Sequence, residues 1–99
     1  MAAKSCRRIE LLVATDAILD FVGAAKEPVS IADIARSTGL STDTCFRQIG
    51  TMEELRWVEK IGEGFILGMR LAVIRARKKA TLEAQRANID KKLTELEEV

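Results

Sequence analysis

The sequence predicts a mainly α-helical fold with one small β-hairpin, followed by a long C-terminal helix. Three observations carry this expectation. Apolar residues recur at helical spacing in segments punctuated by Pro28 and Gly39. A short β-rich stretch surrounds Gly62-Glu63-Gly64. From Met69 to the C-terminus neither Gly nor Pro occurs.

The first helix is expected from about Cys6 to Ala25. Leu11, Leu12, Thr15, Ile18, Leu19 and Val22 repeat every three or four residues and form one face for the core. Pro28 biases Glu27 away from helical geometry, so the helix stops before it. A short helix, Ile31–Thr38, follows. Ser30 is its N-cap and Asp33 completes an approximate capping box. Ile31, Ile34 and Ala35 make its buried face. Gly39 supplies the left-handed residue that closes it, and Leu40 plugs the turn.

Ser41 caps the next helix, Thr42 to about Leu55. Cys45, Ile49, Met52 and Leu55 fall on its inner face; Thr42, Asp43, Phe46, Arg47 and Gly50 fall on the other. Arg56–Ile61 and Phe65–Leu67 are β-rich and flank a glycine turn, which reads as a hairpin. Trp57 is expected to pack on the core. Met69–Glu98, rich in Ala, Leu and alternating charge, reads as one long helix.

The order helix, short helix, glycine turn, helix, hairpin is the winged helix-turn-helix plan. Residues 1–68 are expected to form that domain and residues 69–99 the long helix. The short helix braces the one after Gly39, which is then free to lie in a DNA major groove.

Composition bounds the function. The 99 residues are 47% hydrophobic, enough for one small core, and carry a net charge of only +1. The cations are segregated: Arg70–Lys79 holds five and no anion, whereas Glu83–Val99 holds five anions and three cations. There is no His, and the two cysteines, Cys6 and Cys45, make no ordinary zinc site. No cofactor or metal is expected. The N-terminus lacks a secretory apolar run and no stretch is long enough to span a membrane, so a cytoplasmic protein with reduced thiols is expected. Without His, a Gly-rich phosphate loop or clustered carboxylates, the chain does not read as an enzyme.

Residues from about Ala17 to Ile74 resemble the N-terminal DNA-binding domain of the IclR-type transcriptional regulators. The stretches that carry the resemblance include Ala17-Ile18-Leu19-Asp20, Glu27-Pro28-Val29-Ser30-Ile31-Ala32-Asp33-Ile34-Ala35, Thr38-Gly39-Leu40-Ser41, Thr44-Cys45-Phe46-Arg47, Met52-Glu53-Glu54-Leu55 and Gly64-Phe65-Ile66-Leu67-Gly68. The resemblance implies binding to duplex DNA. The family's large effector-binding domain has no counterpart in these 99 residues, so no small-molecule effector site is expected.

Candidate contacts to DNA are Ser41, Thr42, Asp43, Thr44, Phe46, Arg47, Lys60, Gly62, Gly64 and Arg70. Arg47 suits a guanine edge or a phosphate, or else a surface pair with Asp43. Thr42 and Thr44 offer hydroxyls beside free backbone N–H groups at a helix start, suited to phosphate or to capping. Phe46 meets a thymine methyl, a protein partner or the core. Asp43 either accepts from a cytosine amino group or weakens DNA binding, and Glu63 at the hairpin tip repels phosphate. Lys60 and the Gly62–Gly64 turn either touch the DNA backbone or merely close the fold. In the long helix Leu82, Ile89 and Leu96 recur every seven residues, and Leu93 shares their face. A helix of roughly 28 residues reaches about 42 Å, too long to bury that face on so small a domain. A homodimer or higher homo-oligomer is expected. The competing expectation is a winged-helix module for protein interaction or assembly that binds no DNA.

Overall fold

The computed structural model describes residues 7–99. Cys6, the expected start of the first helix, lies outside the described residues. The chain divides into two compact units between Met69 and Arg70. In the first, α1 (Glu10–Ala24), α2 (Ile31–Thr38) and α3 (Thr42–Glu54) precede a hairpin of β1 (Val58–Ile61) and β2 (Gly64–Leu67). The second is formed by α4, which starts at Met69 and ends at Glu97. This is the expected winged helix-turn-helix with a long terminal helix.

The local chemistry sets the helix ends. Ser30 Oγ accepts from the Asp33 amide at 3.1 Å, and the Asp33 carboxylate accepts from the Ser30 amide at 3.3 Å. Two orphan N–H groups are thereby satisfied at the start of α2. The Ser30 hydrogen bonds, backbone first, hold the Asp33 carboxyl below the ordinary aspartate range, and the nearby Arg36 adds to this. Gly39, at φ 78°, closes α2 with its N–H on Ala35 O at 2.9 Å. Ser41 caps α3 through the Thr44 amide at 3.0 Å.

The end of α3 departs from the expectation. Trp57 N–H donates to Met52 O at 2.8 Å and Arg56 N–H to Glu53 O at 3.1 Å. This nested pair is a Schellman closure. It needs a left-handed residue, and Arg56 takes that role at φ 64°. Leu55, expected inside, is the C-cap residue; at about 100° per residue it lies roughly 60° past Met52, on the side away from Ile49, and is 48% exposed.

The strands pair antiparallel, with Val58 opposite Leu67 and Ile61 opposite Gly64. Val29 adds a bridge on the outer side of β2, exchanging two hydrogen bonds with Phe65 at 2.8 and 3.1 Å. The link after Pro28 is thus sewn to the wing. The core gathers Ile18 and Val22 of α1, Ile34 and Ala35 of α2, Cys45, Ile49 and Met52 of α3, and Val29, Val58 and Phe65. No described polar side chain is buried. Each large member contributes about 1.5–3 kcal/mol by leaving water. Leu11 and Leu12, expected in this core, are instead 67% and 62% exposed. The first turn of α1 meets a polar part of α3: Gln48 Nε2 donates to Leu11 O at 3.3 Å, and the Thr15 hydroxyl lies 2.8 Å from Gln48 Oε1. Leu11 there meets Thr44, Arg47, Gln48 and Thr51 and no apolar side chain of α3.

Two outcomes follow. Arg56→Gly removes the left-handed penalty and raises the unfolding free energy by about 0.5–1 kcal/mol in urea titration. Asp33 stabilises the fold through its ionised form, since its carboxyl is depressed by folding. Its contribution is therefore full above the ordinary aspartate pKa of about 3.9 and is lost as pH falls through the folded value. The stability gap between the wild type and Asp33→Asn closes on acidification over that window.

Candidate nucleic-acid interface

The rotation of α3 follows from its sequence. Cys45, Ile49 and Met52, at four- and three-residue steps, are all buried, so the opposite side faces solvent. Phe46 stands 66% exposed there and does not enter the core. Thr42, Asp43, Arg47 and Gly50 are exposed with it, whereas Thr44 is half-buried.

Polar contacts at this surface are sparse. The Ser41 hydroxyl accepts from the Thr44 amide and lies 2.9 Å from Thr44 Oγ1. Ser41 therefore caps, and both hydroxyls stay at the exposed first turn. Arg47 Nη1 is 3.9 Å from Asp43 Oδ2, with the two side chains 79% and 78% exposed. Such a pair is worth little in water and leaves the guanidinium available.

Two different surfaces flank α3. On one side Thr44, Arg47, Gln48 and Thr51 line a shallow depression with Leu11. On the other Phe46, Gly50 and Glu53 face Lys60 and Glu63 of the wing across a groove. The tertiary structure so brings Phe46 and Lys60 together, and adds Glu53 and Gly50, which sequence reasoning did not single out as site residues. Helical spacing from Phe46 to Gly50 to Glu53 was the signal available.

The wing corrects one assignment. Gly62, at φ 61°, takes the first position of a two-residue turn and is exposed beside Glu63. A positive φ there suits a type II′ hairpin turn. Gly64, expected at the tip, belongs to β2 and is buried. A methyl at Gly64 would lie 2.7 Å from Pro28 Cβ and 3.1 Å from Val29 N. Its glycine is needed for packing, not for a ligand. Arg70 is exposed in the first turn of α4.

Along α4, Leu82, Ile89, Leu93 and Leu96 are 50–72% exposed, and no residue of this helix is buried. Among the described residues no helix is long and apolar enough to cross a membrane, and no group of His, Cys, Asp or Glu is arranged to hold a metal ion.

Gly50 is at odds with its helix. It lies within α3, it is exposed, and a Cβ built there meets nothing within 4 Å. Packing does not demand a glycine at a position where alanine favours the helix by about 0.8–1.0 kcal/mol. Gly50→Ala accordingly raises the thermal midpoint, and its effect on ligand binding reports whether a partner approaches α3 closely at that point.

Comparison with known proteins agrees with this geometry. Residues 16–62 match the family model of the IclR helix-turn-helix domain. An IclR homolog from Microbacterium sp. strain HM58-2 superposes with a TM-score of 0.66 at 23% identity, over 77% of this chain and 32% of that one. A putative IclR transcriptional regulator from Silicibacter sp. TM1040 gives 0.65 at 18% identity, over 72% and 28%. The chain thus spans about a third or less of those regulators. The activation domain of the phage T4 transcription factor MotA gives 0.56 at 22% identity, over 90% and 88%. No curated protein matches the chain.

Proposed function

We propose that this chain, whose residues 16–62 are an IclR-type helix-turn-helix domain, binds duplex DNA sequence-specifically and regulates transcription in the cytoplasm, self-associating through α4. The observation that carries the reading is the outward face of α3. A capped helix start, two threonines and an unburied arginine stand together on a helix whose inner face is spent on the core. In the major groove Arg47 reads a guanine edge or holds a phosphate, while Ser41, Thr42 and Thr44 bind phosphate at the helix N-terminus. Asp43 accepts from a cytosine amino group, and Phe46 packs on a thymine methyl. Lys60, Gly62 and Arg70 add backbone contacts that position the domain without reading sequence. On this reading residues 1–68 are the DNA-binding domain. Residues 69–99 are the oligomerisation element, with Leu82, Ile89, Leu93 and Leu96 at its contact.

A second reading is favoured by the groove on the Phe46 side of α3. An exposed aromatic ring beside Glu53 and Glu63 suits a protein partner better than phosphate. The MotA activation domain shows the fold at nearly this length in a role that its name ties to activation.

Titration of labelled duplexes, from random and genomic sequence, at several salt concentrations separates the two. Under the first reading affinity falls steeply with salt. Arg47→Ala then costs about 1–3 kcal/mol at the preferred site if it reads a base, or lowers the salt slope by about one if it holds a phosphate. Absence of binding at tens of micromolar, about the range of non-specific affinity, transfers the function to the Phe46 groove.

A further inference from the structure

We infer that α4 pairs with the α4 of a second copy in antiparallel orientation, an inference that rests on the self-association proposed above and goes on to set its geometry. Leu71, Ile74, Leu82, Ile89, Leu93 and Leu96 form one stripe of α4. At about 100° per residue they fall within an arc roughly 100° wide. From Ile74 onward every one of them is exposed. Lys78 and Gln85 interrupt the middle of the stripe, and Arg75 and Lys92 lie at its two edges.

Charge separates the two orientations open to a symmetric pair. In a parallel pair each residue lies at the height of its own copy. Lys78 then meets Lys78 in the seam, and the five cations of Arg70–Lys79 run along the same five. Like charges in that position are destabilising. An antiparallel pair reverses one helix against the other. The steps along the stripe are three, four, four, three, four, four, three, an order that reads the same in both directions. The stripe therefore matches its own reverse, centred between Glu83 and Ala84. Leu71 falls opposite Leu96, Ile74 opposite Leu93, Lys78 opposite Ile89 and Leu82 opposite Gln85. Lys78 lays its methylene stem on isoleucine and carries its ammonium outward.

The flanks agree with this arrangement. By helical rotation Arg75, Lys79, Arg86, Asp90 and Glu97 line one flank of the stripe, while Arg70, Arg77, Lys92 and Glu95 line the other. The two-fold axis of an antiparallel pair sets each flank against its own copy. Arg75 and Lys79 thus bracket Asp90 of the second copy and Arg70 lies beside its Glu95, while Arg86 comes near its Lys79. The two Met69 residues, where the winged units end, are then roughly 44 Å apart along the pair.

Nitroxide labels test this in the full chain with Cys6→Ser, where Cys45, fully buried, stays unlabelled. Ala84→Cys lies beside the pairing centre and Thr94→Cys ten positions further on; both side chains point away from the stripe and are exposed. Antiparallel pairing makes the intermolecular Thr94 distance exceed the Ala84 distance by more than roughly 10 Å. Equal distances at the two sites overturn the orientation while leaving self-association standing. A monomeric mass with no intermolecular distance at either site overturns self-association as well, and leaves DNA binding to be judged by its own titration.

Discussion

The burial of Cys45, Ile49 and Met52 fixes the rotation of α3 about its own axis, and everything that the domain presents to a ligand depends on it. These three side chains sit against Ile18, Ile34, Val58 and Phe65 in one dry core. Turning α3 by a single position would expose apolar side chains and drive Phe46 or Asp43 inward. At about 0.8 kcal/mol per buried methylene, that rotation is prohibitive in a domain of this size. Arg47, Phe46 and Gly50 point outward because their neighbours cannot.

The ends of the short helices then fix where α3 starts and stops. The reciprocal Ser30–Asp33 bonds and the left-handed Gly39 set α2 at eight residues, and the Ser41 cap follows at once. At the far end the Arg56 closure turns the chain directly into β1. The Val29–Phe65 bridge ties the segment before α2 to the wing. With Gly64 pressed against Pro28, the wing is anchored to the same core as the helices. Only Gly62 and Glu63 extend past it as a tip. The groove between Phe46 and Lys60 is a product of this anchoring.

The second unit obeys a different rule. A helix whose described side chains are all unburied gains nothing from a core, and isolated helices depend on propensity and on what they pair with. Its apolar stripe and its segregated charges carry the information that a core would otherwise hold. The stripe stands exposed, and the proposed self-association rests on that exposure. The charge order is what the proposed antiparallel orientation rests on.

Residues close in sequence determined much of this protein by themselves. Capping needs a hydroxyl and a carboxylate three positions apart, so Ser30, Asp33 and Ser41 could be assigned without any tertiary contact. Gly39 and the glycine turn at Gly62 follow from backbone sterics, and Cys45, Ile49 and Met52 from helical period. The outward set of Asp43, Phe46 and Arg47 follows as the complement of that period. Tertiary structure alone decided the rest, because burial depends on what stands opposite. Leu11 and Leu12 have the right spacing for the core, but Leu11 lies against Thr44, Gln48 and Thr51 of α3 and Leu12 is exposed. Leu55 follows Met52 at a helical step too, yet it sits in the last turn past the edge of the buried face and stays exposed. Gly64 looks like a turn residue until Pro28, thirty-six positions earlier, is seen to occupy the space a side chain would need.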